Sequence, residues 1–416
     1  MTPASPVVER PRPAMPAKPA PAGAFLSGVV AYEVANGALH LAQPLLIAHL
    51  TGSFGKAALF SSFDTAVHMG GTALAGWPAD RLGSRRLLIA STFLRGAALG
   101  LIPAAWAAGR LTPGVAMGAY TLDALVRGFQ DTAVHALPLE LAGHDAPSLD
   151  RINARYELAF DLGAVAGPLA LGGLMAGAGG LTPHVAVAAG FALAAGVFVA
   201  VPRTPPARSR AADAEKGGTL RGLLAIARDP RLLWSALGLA LLNLYPLRKL
   251  LSAFFAKAIL AKPASVGALG AAFGLGGAAG ALLYARKGRA DAAPRWVAAG
   301  AAGVLLLAAG WLPSALWPMA AAAFLFSLTN VGARLAVTTR LQEATPAGTI
   351  GGVTAAARAG SNLVSVGLKA LVGLAFAIGA GPRGAFSAVG VGLALIAGLQ
   401  LALASKLSTN YARVHS

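Results

Sequence analysis

The apolar residues of this chain fall in long runs, interrupted at short intervals by clusters of Gly, Pro, Arg and Lys. About 20 apolar residues in a helix cross a bilayer. Twelve runs of that kind lie at approximately 24–48, 56–78, 86–108, 114–140, 153–177, 182–201, 231–256, 264–285, 293–312, 315–338, 350–378 and 383–405. All are predicted helical, because lipid offers backbone N–H and C=O groups no partner outside the segment itself. One break is longer than the rest: at 202–230, Pro202, Pro205, Pro206, Gly217 and Gly218 accompany a mixed charge run. It separates a first bundle over 23–201 from a second over 231–406. Residues 1–22, rich in Pro and Ala, read as a disordered tail, 202–230 as a linker and 407–416 as a second tail. The expected fold class is an all-α membrane protein, twelve transmembrane helices in two pseudo-symmetric six-helix bundles.

Composition agrees and removes other classes. The 416 residues are 56% hydrophobic and 12% charged, against roughly 25% charged in soluble domains. The net charge of +18 does not point to nucleic acid. The cations sit between apolar runs and form no aromatic-interleaved basic face. With the N-terminus inside, Arg81, Arg85, Arg86, Arg203, Arg208, Arg210, Lys216, Arg286, Lys287 and Arg289 are cytoplasmic, and the far side keeps only Lys56, Arg110, Lys257, Lys262 and Arg383. That is the positive-inside pattern, so both termini are expected in the cytoplasm, the protein lying in a bacterial-type inner membrane. The first run is span-length and carries Glu33 and His40, unlike the short apolar core of a signal peptide. The absence of cysteine removes disulfides and thiolate metal sites. The absence of a Gly-rich phosphate loop argues against an enzyme and against ATP-driven transport.

Between the second and third runs stands Gly76-Trp77-Pro78-Ala79-Asp80-Arg81-Leu82-Gly83-Ser84-Arg85-Arg86. Gly76 permits close helix approach, Asp80 can accept helix N-terminal N–H groups, and Gly83 permits a tight turn. The stretch resembles the gating loop between helices 2 and 3 of the major facilitator superfamily, with Ser84 in place of the usual arginine. Arg127-Gly128-Phe129-Gln130 resembles that family's helix-4 motif, whose arginine is associated with proton coupling; Asp131 replaces the glycine that usually follows. Gly163, Gly167 and Pro168, followed by Gly172-Gly173, resemble the element typical of its antiporters, with one extra residue after the proline. Leu137-Pro138 through Arg151-Ile152 to Pro168 is similar to the third drug-efflux branch, which includes macrolide and siderophore exporters. The halves also echo each other: Gly76 is answered by Gly280, and Asn153–Gly173 by Thr354–Gly373. The resemblance implies a secondary active transporter, a proton-coupled exporter working by alternating access.

Ionisable residues within spans are costly and usually functional. The acids Glu33, Asp64, Asp123 and Asp131 belong to the first bundle, while Arg334 and Arg358 stand in the second with no local acid. Glu33, Asn36 and His40 share one face of the first span; Asp64 and His68 are i, i+4 on the second, as are Asp131 and His135 on the fourth. Glu33, Arg127, Asp131, His40, Asp64 and Asp123 are the candidates for proton coupling. Asn36, Asn243, Asn330, Arg334 and Arg358 are candidates for substrate binding. Partners are then a small molecule and the bilayer, for a monomer needing no cofactor beyond protons. A rival reading is a ferroportin-like exporter, in which Glu33, His40, Asp64, His68, Asp131 and His135 converge on a divalent metal as cargo. A second is an uncoupled receptor or lipid-handling protein. In a purely structural reading each histidine satisfies its neighbouring acid, and Asp123 pairs with Arg127 on its own helix.

Overall fold

The computed structural model describes residues 22–142, 146–177, 181–203, 218–242, 250, 252–287, 299, 315–345, 350–379 and 384. Among them there is no strand. The helices are α1 (Gly23–Thr51), α2 (Phe54–Leu74), α3 (Gly76–Leu82), α4 (Ser84–Ala107), α5 (Pro113–Ala142), α6 (Ala146–Gly177), α7 (Thr182–Val199), α8 (Gly218–Arg228), α9 (Pro230–Leu242), α10 (Val266–Lys287), α11 (Leu316–Ala344) and α12 (Ile350–Ala377). A π-helical turn, Phe255–Ile259, and a 3-10 turn, Pro263–Ser265, precede α10.

Among the described residues, six helical stretches are long and apolar enough to cross a membrane. α1, α2 and α5 have the length but carry the polar side chains described below. Leucines and phenylalanines such as Phe63, Phe93, Leu101, Leu193, Leu363 and Leu371 are exposed, as lipid-facing positions require. The expected spans at 293–312 and 383–405 lie outside the described residues except for 299 and 384, as does part of 231–256.

Local signals set the helix ends. α1 stops at Gly52, whose φ of 64° a side chain would resist. The Ser53 side chain then accepts the Lys56 N–H at 3.2 Å, capping α2. Two expectations change. The gating stretch is not a bare turn: Gly76–Leu82 continues as the short helix α3, and Gly83, at φ 75°, makes the break before α4. The 202–230 linker also contains a helix. Ile226 of α8 packs with Leu232, Leu341, Val353, Ala356 and Ala357, which fastens the linker to the second half.

In the first half α1 lies against α6 and α7, α4 against α5 and α7, and α2 against α5. In the second, α10 and α9 both pack on α11, and α9 also on α12. The halves meet along two seams, α2 with α12 and α6 with α10. In the register of the sequence echo, α2 corresponds to α10 and α6 to α12, so each seam is the other with the halves exchanged.

Glycines allow the close packing that association in lipid relies on. A Cβ at Gly167 would stand 2.5 Å from the Val34 carbonyl oxygen and 2.8 Å from the Ala38 nitrogen. From the second half, a Cβ at Gly267 would stand 2.8 Å from the Pro168 carbonyl oxygen. The Gly163-to-Gly173 element therefore packs against both α1 and the second half. Gly167→Val should destabilise the folded protein by about 1–3 kcal/mol or more through overpacking. Gly173→Val should leave melting unchanged, since nothing lies within 4 Å of a Cβ there. Melting of the two variants in detergent checks this; equal behaviour would remove the packing role.

The described seam contacts concentrate toward the α1–α2 hairpin. Lys369 donates to the Ser61 carbonyl at 3.2 Å and to Thr65 Oγ1 at 2.6 Å, and the Ser62 hydroxyl donates to the Val366 carbonyl at 2.8 Å. Nearer the hairpin, the rings of Phe54, Phe254 and Phe376 cluster with centroids 4.8, 5.8 and 5.9 Å apart. Toward the gating stretch, Gly70 of α2 and Gly360 of α12 would meet nothing within 4 Å. Among the described residues, the seam between α2 and α12 is closed at the hairpin end.

Candidate functional site

Inside the first half, α1, α2, α4 and α5 bring their polar side chains to one place. Arg95 of α4 is fully buried. Its Nε donates to Asp123 Oδ1 at 2.7 Å, Nη1 to Gln130 Oε1 at 2.8 Å, and Nη2 to Asn36 Oδ1 at 3.2 Å. The Phe191 ring lies 4.2 Å from the guanidinium carbon. Gln130 in turn donates to Thr92 Oγ1 at 2.8 Å, and Asn36 Nδ2 to Glu33 Oε2 at 3.3 Å. Asn36 therefore links Glu33 to the Arg95 cluster.

A second pair lies one turn further along α5. Arg127 Nη2 donates to Asp64 Oδ2 at 2.8 Å, and Gln43 of α1 donates to Asp64 Oδ1 at 3.0 Å. Arg127 Nε is buried without a hydrogen-bond partner among the described residues. A third group is more open. His68 Nε2 and Asp131 Oδ2 are 2.8 Å apart, with side chains 21% and 33% exposed, and Tyr32 Oη donates to Asp131 Oδ1 at 3.5 Å. Desolvated charges survive here because each arginine faces a carboxylate, and Arg95 donates further N–H groups to the neutral oxygens of Gln130 and Asn36.

These partners differ from the local pairs of the structural reading. Asp64 binds Arg127 instead of His68; Asp123 binds Arg95 instead of Arg127; His135 Nδ1 lies 2.6 Å from the Asp131 backbone oxygen, not its carboxylate. The cause is the crossing of α2 and α5. A Cβ at Gly71 would collide with the Leu125 backbone, and one at Gly128 with Gly71 and Thr72. The two backbones touch, so side chains of one helix reach partners on the other before neighbours on their own. Arg95, Gln43 and Tyr32 are absent from the sequence expectation. Arg95 did carry a signal, being an arginine inside an apolar run without a motif around it.

The metal constellation does not assemble. Among the described residues no three His, Cys, Asp or Glu side chains come together in a way that could hold a metal ion. Asp64 is taken by Arg127, His68 and Asp131 satisfy each other, and His135 turns to a backbone oxygen. Glu33 is buried beside Asn36, and His40 is half-buried on α1.

In the second half, Asn330 is buried with Nδ2 unpartnered, and the Ser361 and Ser365 hydroxyls are likewise buried without partners among the described residues. Arg334 is half-buried and Arg358 exposed; Asn243 lies outside the described residues. In the gating stretch Arg85 donates to the carbonyls of Val201 at 2.6 Å and Val199 at 2.5 Å, closing the end of α7. Ser84 donates to Glu140 Oε1 at 2.6 Å, tying α4 to α5. Arg81 and Arg86 are exposed, and the surroundings of Gly76 and the side chain of Asp80 lie outside those described.

This architecture is that of a membrane transporter, and the chain belongs to the Major Facilitator Superfamily, whose family model matches residues 25–363. Its members are transporters, not enzymes. Over 178 residues the chain is 34% identical to the Multidrug efflux pump Tap of Mycobacterium tuberculosis and of Mycobacterium bovis, a match covering 42% of this chain and 42% of each pump. It is 30% identical over 269 residues to the Multidrug efflux pump Tap of Mycolicibacterium fortuitum, covering 61% of this chain and 64% of that one. The chain thus spans less than two thirds of these relatives' length. Among solved structures, the nucleoside transporter NupG aligns with a TM-score of 0.67 at 13% identity, covering 91% of this chain and 98% of that one. A peptide transporter, POT, aligns at 0.68 and 15%, covering 93% and 95%. A bacterial homolog of the human lysosomal transporter Spinster, inward-facing and unoccupied, aligns at 0.66 and 14%, covering 91% and 94%. At such identities these likenesses show the fold.

Proposed function

We propose that this protein is a proton-coupled antiporter that exports a small organic molecule by alternating access. It works as a monomer in the inner membrane, both termini in the cytoplasm, with protons as coupling ion and no cofactor. The observation that carries the reading is the titratable cluster buried in the first half, where Asn36 bonds Glu33 and Arg95 at once. A proton gained by Glu33 changes what Asn36 can donate to, and so reaches the Arg95–Asp123–Gln130 group that ties α1, α4 and α5 together. The half-open Asp131–His68 pair is the second station for protons. Export and a drug-like cargo are supported by the multidrug efflux pumps among the relatives and by the antiporter element around Pro168. The unpartnered polar atoms of Arg127, Asn330, Ser361 and Ser365 are the candidates to meet that cargo. The metal-exporter reading has no ligand cluster behind it among the described residues. No observation favours an uncoupled receptor.

The test is flux in proteoliposomes carrying a panel of fluorescent drug-like dyes. An imposed pH gradient should drive dye accumulation, and Glu33→Gln should abolish that drive while dye-for-dye exchange persists. Gradient-driven accumulation at the native rate in Glu33→Gln would remove Glu33 from the coupling.

A further inference from the structure

At the hairpin end, away from the polar cluster, lies a second candidate site. The ends of α1, α4, α6 and α7 and the segment carrying Lys257 and Pro263 enclose a cavity of about 400 Å³. Ligand sites run from about 300 to 1,000 Å³. Leu45, Leu46, Leu171 and Met175 make an apolar wall, and the ionisable side chains around it are His49, His184 and Lys257, with no acid. Lys257 is half-buried and makes no hydrogen bond or ion pair among the described residues; its ammonium rests 6.0 Å from the Phe54 ring centroid. α1 ends at Thr51, α4 at Ala107 and α6 at Gly177, while α7 begins at Thr182. Trp106 is exposed beside these ends, and tryptophan is enriched where a span meets the headgroups.

An apolar slot beneath a cation suits a chain with an anionic head. We propose that this cavity binds a single-chain anionic amphiphile from the surrounding leaflet, a long-chain carboxylate, and that its occupancy favours the form sealed at the hairpin end. The carboxylate meets Lys257 and His49 at the rim, and the chain fills the leucine-lined wall. Lys257 and Pro263 come from the second half and every other lining residue from the first. On the alternating-access reading, opening this end separates the two sides of the site. The amphiphile therefore binds the sealed form better, and that difference in affinity shifts the balance of states.

The experiment uses the full chain in phosphatidylcholine nanodiscs, titrated with 9,10-dibromostearate while tryptophan fluorescence is read. Quenching should saturate, and its saturable part should vanish in Trp106→Phe. The methyl ester of the same chain should bind at least about tenfold more weakly to the native protein, and Lys257→Gln should weaken the acid by a similar factor. Equal quenching by acid and ester, or an unchanged Lys257→Gln, would overturn recognition of the anionic head. Quenching that never saturates would show ordinary bilayer lipid in the cavity. Because binding is read without transport, its failure is separate from failure of the exporter reading. Stearate should also speed oxidation of a Gly55→Cys, Phe376→Cys pair across the seam; no change in that rate would overturn the conformational effect.

Discussion

Arg95→Met is expected to cost about 3–5 kcal/mol of stability, the usual penalty for removing one partner of a buried ion pair. The Arg95 and Asp123 side chains are 0% and 3% exposed, so water cannot take over the role of the guanidinium. The substitution leaves Asp123 as a naked charge and deprives Gln130 Oε1 and Asn36 Oδ1 of their donor. Lysine at this position should not rescue, because one ammonium cannot serve three acceptors held in a fork. Adding Asp123→Leu to Arg95→Met should recover most of the loss, since apolar replacement of a whole buried pair is nearly neutral or favourable. Thermal melting of the two single variants and the double variant in detergent checks the series. If Arg95→Met melts with the native protein, the cluster does not hold α1, α4 and α5 together.

Oxidising a cysteine pair at positions 55 and 376 should stop transport, and reductant should restore it. A Cβ at Gly55 would stand 3.1 Å from the Phe376 Cβ across the α2–α12 seam, near the roughly 3.5–4.5 Å that a disulfide spans. The chain has no cysteine of its own, so the engineered pair has no competitor. If the halves tilt as bodies, this bond locks the hairpin end shut and flux falls to the level of empty liposomes. A pair inside one half makes the control. A Cβ at Gly190 would stand 2.9 Å from the Ala35 Cβ, so Gly190→Cys with Ala35→Cys joins α7 to α1 within the first half. That lock should leave most of the flux. Loss of transport in both oxidised pairs would argue against rigid halves, and retention in both would argue against opening at this seam.

Much of the fold can be read from the residues. Runs such as 86–108 and 350–378 match α4 and α12 to within a few residues, because hydrocarbon imposes a length and a helical backbone on any chain that crosses it. The small-residue element is also readable: Gly163 and Gly167 fall one helical turn apart, and a Cβ at either would collide with α1. Ser84, noted only as a departure from the family pattern, acquires its role from Glu140, which is remote in sequence. The partners of the charges are not readable in this way. Spacing of four residues places Asp64 and His68 on one face of α2 but says nothing of which helix stands opposite. That helix is α5, brought into backbone contact by Gly71 and Gly128, and it supplies Arg127 to one side chain and Asp131 to the other.

The sequence by itself determined that this is a membrane-embedded helical protein of the facilitator type, and that the acids Glu33, Asp64, Asp123 and Asp131 within its spans belong to the first half. Those properties depend on composition and local spacing, which folding does not alter. The tertiary structure alone decided which arginine neutralises which aspartate, that the acid and histidine residues among those described do not gather for a metal, and at which end the α2–α12 seam is closed. Each of those depends on distances between helices far apart in the chain, and Coulomb and hydrogen-bond energies in a dry interior change by kilocalories over an ångström or two.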